Sequence, residues 1–467
     1  MSQLRWLLGL AAVAMLAYGA CAANLHPNAR RAMEQFYGAG DADAMQLNLP
    51  TLHDVDPDAN YNFTEIVESK GYPCETHYVT TEDGYILGVF RIPGAGLPVF
   101  LQHGLLDSSF TWLLNEPGQA LAYLLADEGY DVWMGNNRGN YYSKNHTTLS
   151  VDSDEFWEFS WDEMARYDFP AMLEYALAQN GAEKLVYVGH SEGTTQAFAA
   201  LSTNATYERM LHGFVALGPV ITVGNMANPI LRAMADFDVI LLWDIFGINQ
   251  FFPTPERLHE VFVDACADCE VCCSAVIELI CGIHVGAFNN SRMPVMAGHE
   301  PGGTSVQNVQ HWTQMVKSGL FQMYDFGRHG NEQHYGQSQP PVYDISRMPT
   351  DLPLALYSGS RDVLADPTDV AALVAQLPQN TTYSKQVDKF AHLDYGAPLL
   401  PPPRCRCRAA ADAAQCGRST PRKTSIAKYC SSSPPGCPRR RLRRTKPSPA
   451  APLPPAWPAW PAWPAWP

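Results

Sequence analysis

The chain has 467 residues, of which 46% are hydrophobic and 17% charged, enough apolar material to bury a substantial core and too much for a wholly disordered protein. A formal net charge of −15 argues against nucleic acid as a partner. The charge is split: beyond residue 396 there are 13 Lys/Arg against one acid, so the preceding body is strongly acidic.

Met1–Ala22 reads as a cleaved secretory signal, with Arg5, an apolar run from Trp6 to Leu16 and the small-x-small site Ala20-Cys21-Ala22. The run is short for a bilayer span. Asn62, Asn145, Asn204, Asn289 and Asn380 are glycosylation candidates by their Asn-x-Ser/Thr context. The body carries Cys74, Cys266, Cys269, Cys272, Cys273 and Cys281. The crowded run from Cys266 to Cys273 has no histidine cluster beside it, so disulfides are expected there rather than zinc, with the pairing open.

After a polar, acidic leader (26–60), Tyr78–Thr81 and Tyr85–Phe90 flank Glu82-Asp83-Gly84 and predict a hairpin with an Asp-Gly turn. Leu97–Gln102 is the next strand, followed by a helix over Gly118–Gly129 and a strand over Tyr130–Met134. Ser160-Trp161-Asp162-Glu163 is a capping box that starts a helix toward Gly181, kinked or restarted at Pro170. Further strands are expected at Lys184–Val188, Gly213–Leu217 and Leu352–Tyr357, with a weaker one at Thr382–Val387. Strands alternating with helices give a mostly parallel sheet covered on both faces.

Between 221 and 347 the alternation lapses. Helical apolar pieces (Val239–Ile245, Val276–Ile280) mix with Gly, Pro, Asn and cysteines, which suits a cap over the site. Its Ile248, Phe251 and Phe252 are candidates for touching a lipid surface, set against ordinary cap packing. From 397 the chain turns to proline, arginine and four Ala-Trp-Pro repeats, a disordered low-complexity tail. The expected division is a signal (1–22), a core (23–220 and 348–396), a cap (221–347) and a tail (397–467).

The chemistry centres on Gly189-His190-Ser191-Glu192-Gly193, set between a β-branched strand and helix-forming Thr194–Leu201. G-x-S-x-G in that setting is a tight turn that stands the serine clear of the sheet edge. A serine nucleophile needs a base held in one tautomer by a carboxylate, and in this architecture they follow as Ser, acid, His. His392 is the last histidine and the only one beyond His334, so it is the candidate base. Asp362, Asp366 and Asp369 follow the Leu352–Tyr357 strand. Asp362 is nearest the strand end; Asp366 precedes Pro367 like a helix cap, and Asp394 is read as structural. The oxyanion donors are expected to be the backbone N–H groups of Glu192 and Leu105. His103 is read as shaping its loop and His190 as packing. No motif for a metal, nucleotide or flavin is found, and no cofactor is expected.

Several of these segments together resemble the acid lipase family. They are Gly71-Tyr72-Pro73, Thr81–Leu87, Gln102-His103-Gly104-Leu105-Leu106, Gly135–Asn140, Phe159–Ala165, Gly189–Thr194, Gly303–Asn308, Ser360–Pro367 and His392-Leu393-Asp394-Tyr395. The resemblance runs from about residue 26 to 396. It implies an α/β-hydrolase core with a helical cap and lid, acting on triacylglycerols or sterol esters. The partner expected is a lipid ester at a lipid–water interface, met by a monomer with peripheral lipid contact through the cap. It carries the triad onto Ser191, Asp362 and His392 and the oxyanion donors onto Leu105 and Glu192; with the signal, a secreted or lysosomal lumen is expected.

Two departures stand out. The family usually has glutamine after the serine, and Glu192 puts a carboxylate near a developing negative charge, which would favour a low working pH. Past Tyr395 the tail does not resemble the family's last helix, whose loss would uncover apolar surface near His392. A carboxylesterase or thioesterase of the same fold, a non-catalytic lipid binder and a folding-defective product are the alternatives.

Overall fold

A computed structural model describes residues 55–226 and 289–396 continuously, and between them 228, 232, 249–251, 263–264, 266–267 and 270–282. The signal, the leader before residue 55, the piece 239–245, Ile248, Phe252 and the tail lie outside the described residues.

The hairpin forms from β1 (Glu75–Thr80) and β2 (Tyr85–Ile92), with Thr80 opposite Ile86. Gly84 at the turn has φ +103, which an L side chain would adopt only under strain. The following strands are β3 (Pro98–Gln102), β4 (Asp131–Gly135), β5 (Asn145–His146), β6 (Leu185–His190) and β7 (Leu211–Leu217). With β10 (Leu354–Gly359) and β11 (Thr382–Val387) they make one nine-stranded sheet in the order β1-β2-β4-β3-β6-β7-β10-β11, β5 pairing with β2. Pairing is antiparallel from β1 to β4 and parallel from β4 to β11. Strands β3, β4 and β6 are buried at every residue, which is why they read as unbroken apolar runs. Strand β11 ends the sheet, is mostly exposed, and accordingly carries the weakest pattern.

Helix α1 (Phe63–Ser69) begins with a reciprocal capping box between Asn62 and Glu65, and α2 (Leu121–Asp127) precedes β4. The helix expected from Ser160 to Gly181 is broken more widely than a proline kink. A short α3 (Trp161–Glu163), opened by the Ser160–Glu163 capping box, runs into a π turn over Met164–Asp168 and then α4 (Phe169–Asn180). Phe169 N–H reaches back to the Met164 carbonyl, an i→i−5 bond. The wide turn comes where Pro170 supplies no N–H and its ring would press on the Arg166 carbonyl. Helix α5 (Glu192–Thr203) follows β6 directly. One continuous core holds Trp133, Phe169, Tyr187, Phe198 and Phe214 between sheet and helices.

Between β7 and β10 no described residue adds a strand to the large sheet. Strands β8 (Gln250–Phe251) and β9 (Thr304–Ser305) make a separate antiparallel pair. Among the described residues the helices there are α6 (Glu270–Cys281), α7 (Met293–His299), α8 (Val306–Ser318) and α9 (Gly327–Tyr335); α10 (Pro367–Gln376) returns to the core. Phe251, one of the residues weighed for lipid contact, is buried against Val306 and Val309. Cys266 pairs with Cys273, while Cys74 and Cys281 are free thiols. Among the described residues no helix is long and apolar enough to cross a membrane.

Candidate active site

Strand β6 ends at His190 and α5 starts at Glu192, leaving Ser191 alone to make the turn, at φ +51 and ψ −118. A non-glycine residue there costs on the order of 1–3 kcal/mol and is held only if its surroundings insist on it. They do: Ser191 N–H donates to the Leu217 carbonyl at 3.0 Å, and Tyr187 Oη donates to the Gly193 carbonyl at 2.8 Å. The flanking glycines are explained by crowding. A Cβ on Gly189 would sit 2.8 Å from the Gly193 carbonyl carbon and oxygen, and one on Gly193 2.7 Å from the Gln102 carbonyl oxygen.

His392 follows β11. Its N–H donates to the Cys281 carbonyl at 3.0 Å, and its own carbonyl is 2.8 Å from His190 Nε2. Its ring packs on Gly218, where a Cβ would stand 3.3 Å away. The structure brings His392 Nε2 to 2.7 Å from Ser191 Oγ, and His392 Nδ1 to 2.8 and 3.1 Å from the two Asp362 oxygens. Asp362 sits in the turn after β10, and its Oδ1 accepts the Leu364 and Ala365 N–H groups at 2.9 and 2.8 Å. Both Asp362 and His392 are buried. An ionised Asp362 takes the Nδ1–H, which leaves the Nε2 lone pair facing the serine hydroxyl.

The other aspartates are engaged elsewhere. Asp366 caps α10 through Thr368 N–H, Asp369 accepts from Asn225 and Thr222, and Asp394 accepts Ala391 N–H. His103 is buried and lowered to about 4 by desolvation, so it is neutral; its ring spans the Gly104 carbonyl and the Asn137 N–H at 2.8 and 3.1 Å. That pins the loop leaving β3. His190, lowered to about 3 by burial and by the neighbouring His392, supports the backbone of His392; its motif position gave no hint of that contact.

The 103–108 loop passes directly over the serine, for a Cβ on Gly104 would lie 3.0 Å from Ser191 Cβ. Leu105 is the next residue. Glu192 is the first residue of α5, so its N–H has no acceptor within the helix. The Glu192 carboxylate is bonded to α8. Its Oε2 accepts Asn308 Nδ2–H at 2.9 Å and Trp312 Nε1–H at 2.7 Å, and burial pushes it up to about 7 against those donors. Asn308 Oδ1 also accepts the Trp161 N–H at 2.8 Å, so Gly303–Asn308 joins α8 to α3 and α5.

Arg138 bonds Asp83 and Asp168 and stacks 4.0 Å over the Tyr85 ring, which makes the Asp-Gly hairpin and the 135–140 loop a single scaffold behind the site. The carboxylates of Asp56, Asp58 and Glu116 also converge, but on Arg292 and Lys70, whose nitrogens fill the place of a cation. Of the glycosylation candidates, Asn62, Asn145 and Asn380 are exposed, and Asn204 and Asn289 half-buried.

Residues 63–116 match the model described as partial alpha/beta-hydrolase lipase region, and 98–252 that described as alpha/beta hydrolase fold. Over 362 residues the chain is 44% identical to gastric triacylglycerol lipase of Homo sapiens, covering 74% of this chain and 88% of that one. It is 42% identical over 353 residues to human lysosomal acid lipase/cholesteryl ester hydrolase (73% and 88%) and 41% over 361 to human lipase member K (73% and 88%). Its sheet and the identity sustained across it agree: the chain belongs to the acid lipase family of α/β-hydrolases and is a carboxylic ester hydrolase acting on lipid esters.

Proposed function

We propose that Ser191, His392 and Asp362 perform this hydrolysis through an acyl-enzyme. His392 Nε2 takes the Ser191 Oγ proton as the oxygen attacks the ester carbonyl, and the imidazolium that forms is held by Asp362. The carbonyl oxygen, now negative, is met by the N–H groups of Leu105 and Glu192. Collapse expels the alcohol, which takes its proton from His392; water repeats the sequence and frees the fatty acid. The observation that carries this reading is the 2.7 Å contact of Ser191 Oγ with His392 Nε2, completed by Asp362 on the opposite ring nitrogen.

The substrates we infer are triacylglycerols or sterol esters, in keeping with the names of the relatives, and we infer that a monomer meets them at a lipid–water interface. Residues 23–220 and 348–396 would be the core and 221–347 the cap that touches lipid. A secreted or lysosomal lumen, with sugar on some of the five asparagines, goes with that reading.

A fluorophosphonate probe tests the chemistry. Labelling of Ser191 that vanishes in Ser191→Ala and weakens in His392→Ala supports it; well-folded protein that takes no label refutes it. Rates on triolein, cholesteryl oleate and a soluble short ester then assign the substrate.

A further inference from the structure

We propose that Asp107 and Glu300 share one proton, and that the shared proton clamps the 103–108 loop, and with it the Leu105 N–H, over Ser191. The proposal rests on the reading of Leu105 as an oxyanion donor. Asp107 and Ser108 close that loop, and Glu300 reaches it from the end of α7. Ser108 N–H donates to Asp107 Oδ1 at 2.8 Å, Gly104 N–H approaches Asp107 Oδ2 at 3.5 Å, and Ser108 Oγ donates to Glu300 Oε1 at 2.5 Å. The backbones are fastened as well. Gly302 N–H donates to the Leu106 carbonyl at 2.7 Å, and a Cβ on Gly302 would stand 2.6 Å from the Asp107 carbonyl oxygen.

Ser108 thus bonds both carboxyl groups, its N–H one and its Oγ the other, which sets two buried acids side by side. Two bare carboxylates offer only acceptors, so a direct bond between them requires a proton on one of them. Glu300 is its holder. Oε2 of Glu300 is buried and receives no N–H or O–H from the described residues, the situation of an oxygen that is itself donating. Burial, then the Asp107 charge, pushes Glu300 well above the usual carboxyl range, and burial pushes Asp107 up to about 6. The titratable groups facing the pair are Tyr142, beside Tyr141 on the loop before β5, and Cys281 at the end of α6; burial raises Tyr142 and Cys281, and neither supplies positive charge. Losing the proton would leave two adjoining buried negative charges that repel. The loop that relaxes in response is the one lying on the serine, with Leu106 already at φ +61.

The consequence is an alkaline limb in kcat owed to this pair and not to His392. The test is the kcat–pH profile from pH 4 to 9 on a soluble short ester for the full chain and for Glu300→Gln and Asp107→Asn, each scaled to its own maximum. An amide at either position donates at every pH. The expected result is a limb displaced upward by about one pH unit or more, in kcat more than in KM, because an oxyanion donor acts in the transition state. A residue that merely supported the fold would lower yield or stability without moving the limb. Asp107→Asn decides the matter if Glu300→Gln does not fold. A limb unmoved in the folded variants, while the parent turns over and labels with fluorophosphonate, overturns the shared proton alone. A parent that neither labels nor turns over overturns the ester-hydrolase chemistry beneath it.

Discussion

Trp312 Nε1 donates a 2.7 Å hydrogen bond to the carboxyl of Glu192, so the residue following the nucleophile is gripped by a helix whose sequence lies 120 residues away. The grip is pH-dependent because burial holds Glu192 near 7, above its ordinary value of 4.5. A carboxyl raised on folding stabilises the native state fully at pH values below its unfolded pKa, and that stability is lost as pH climbs through the folded pKa. Glu192→Gln keeps an acceptor for Asn308 and Trp312 and cannot ionise. It is therefore expected to be neutral for stability at pH 4.5 and stabilising by about 2–3 kcal/mol at pH 8. Urea unfolding of parent and variant at the two pH values checks this; an equal difference at both would refute the assignment.

The aspartates after β10 make opposite predictions. Asp362→Asn should lower kcat by about 10⁴ while leaving stability nearly unchanged, since its role is to hold one histidine tautomer. Asp366→Ala should spare kcat and cost about 1 kcal/mol of stability through the lost α10 cap. Rates on a short soluble ester and thermal melts of the two variants separate them. A large rate loss in Asp366→Ala would reassign the acid.

The fold and the candidate site were legible to different depths. Strands β3, β4 and β6 announce themselves because burial on both faces demands an unbroken apolar run. Ser191 is legible because only a strand–turn–helix gives G-x-S-x-G a use, and His392 because it is the last histidine and the only one beyond His334. The π turn before Pro170 is less so, since a proline marks a break without stating its width. Glu300 is invisible: a lone acid 192 residues from Ser108 has no motif, and only packing brings the two together. The same is true of the Glu192 contacts, where the chain fixes the residue but tertiary structure chooses which way its carboxylate turns.

Gly193 tests how tightly the serine turn is built. A methyl group there would meet the Gln102 and His103 carbonyl oxygens at 2.7 and 2.8 Å, and both belong to backbone that leads into the loop over Ser191. Gly193→Ala should therefore displace both the serine and that loop, lowering the fluorophosphonate labelling rate by about 10²-fold with the far-ultraviolet circular dichroism unchanged. Labelling at the parental rate would mean that the turn yields without moving its nucleophile.

Arg138 offers the sharpest stability prediction. It is buried between Asp83 and Asp168, whose carboxyls move in opposite directions. Burial raises both, but at Asp83 the Arg138 hydrogen bonds and charge outweigh it and the net shift is downward, whereas at fully buried Asp168 desolvation prevails and the shift is upward. Arg138→Met removes the ion-pair partner that the two carboxylates share, and breaking a buried pair in this way costs about 3–5 kcal/mol. At pH 7 buried Asp168 and half-buried Asp83 would remain as uncompensated charges or take up protons against their ordinary values. Near pH 4 Asp168 can be protonated with little penalty, so the variant should recover part of its lost stability as pH falls. Unfolding curves of parent and Arg138→Met at pH 4.5 and 7.5 measure this, and a deficit that grows toward acid would show that the arginine, not the aspartates, sets the cost.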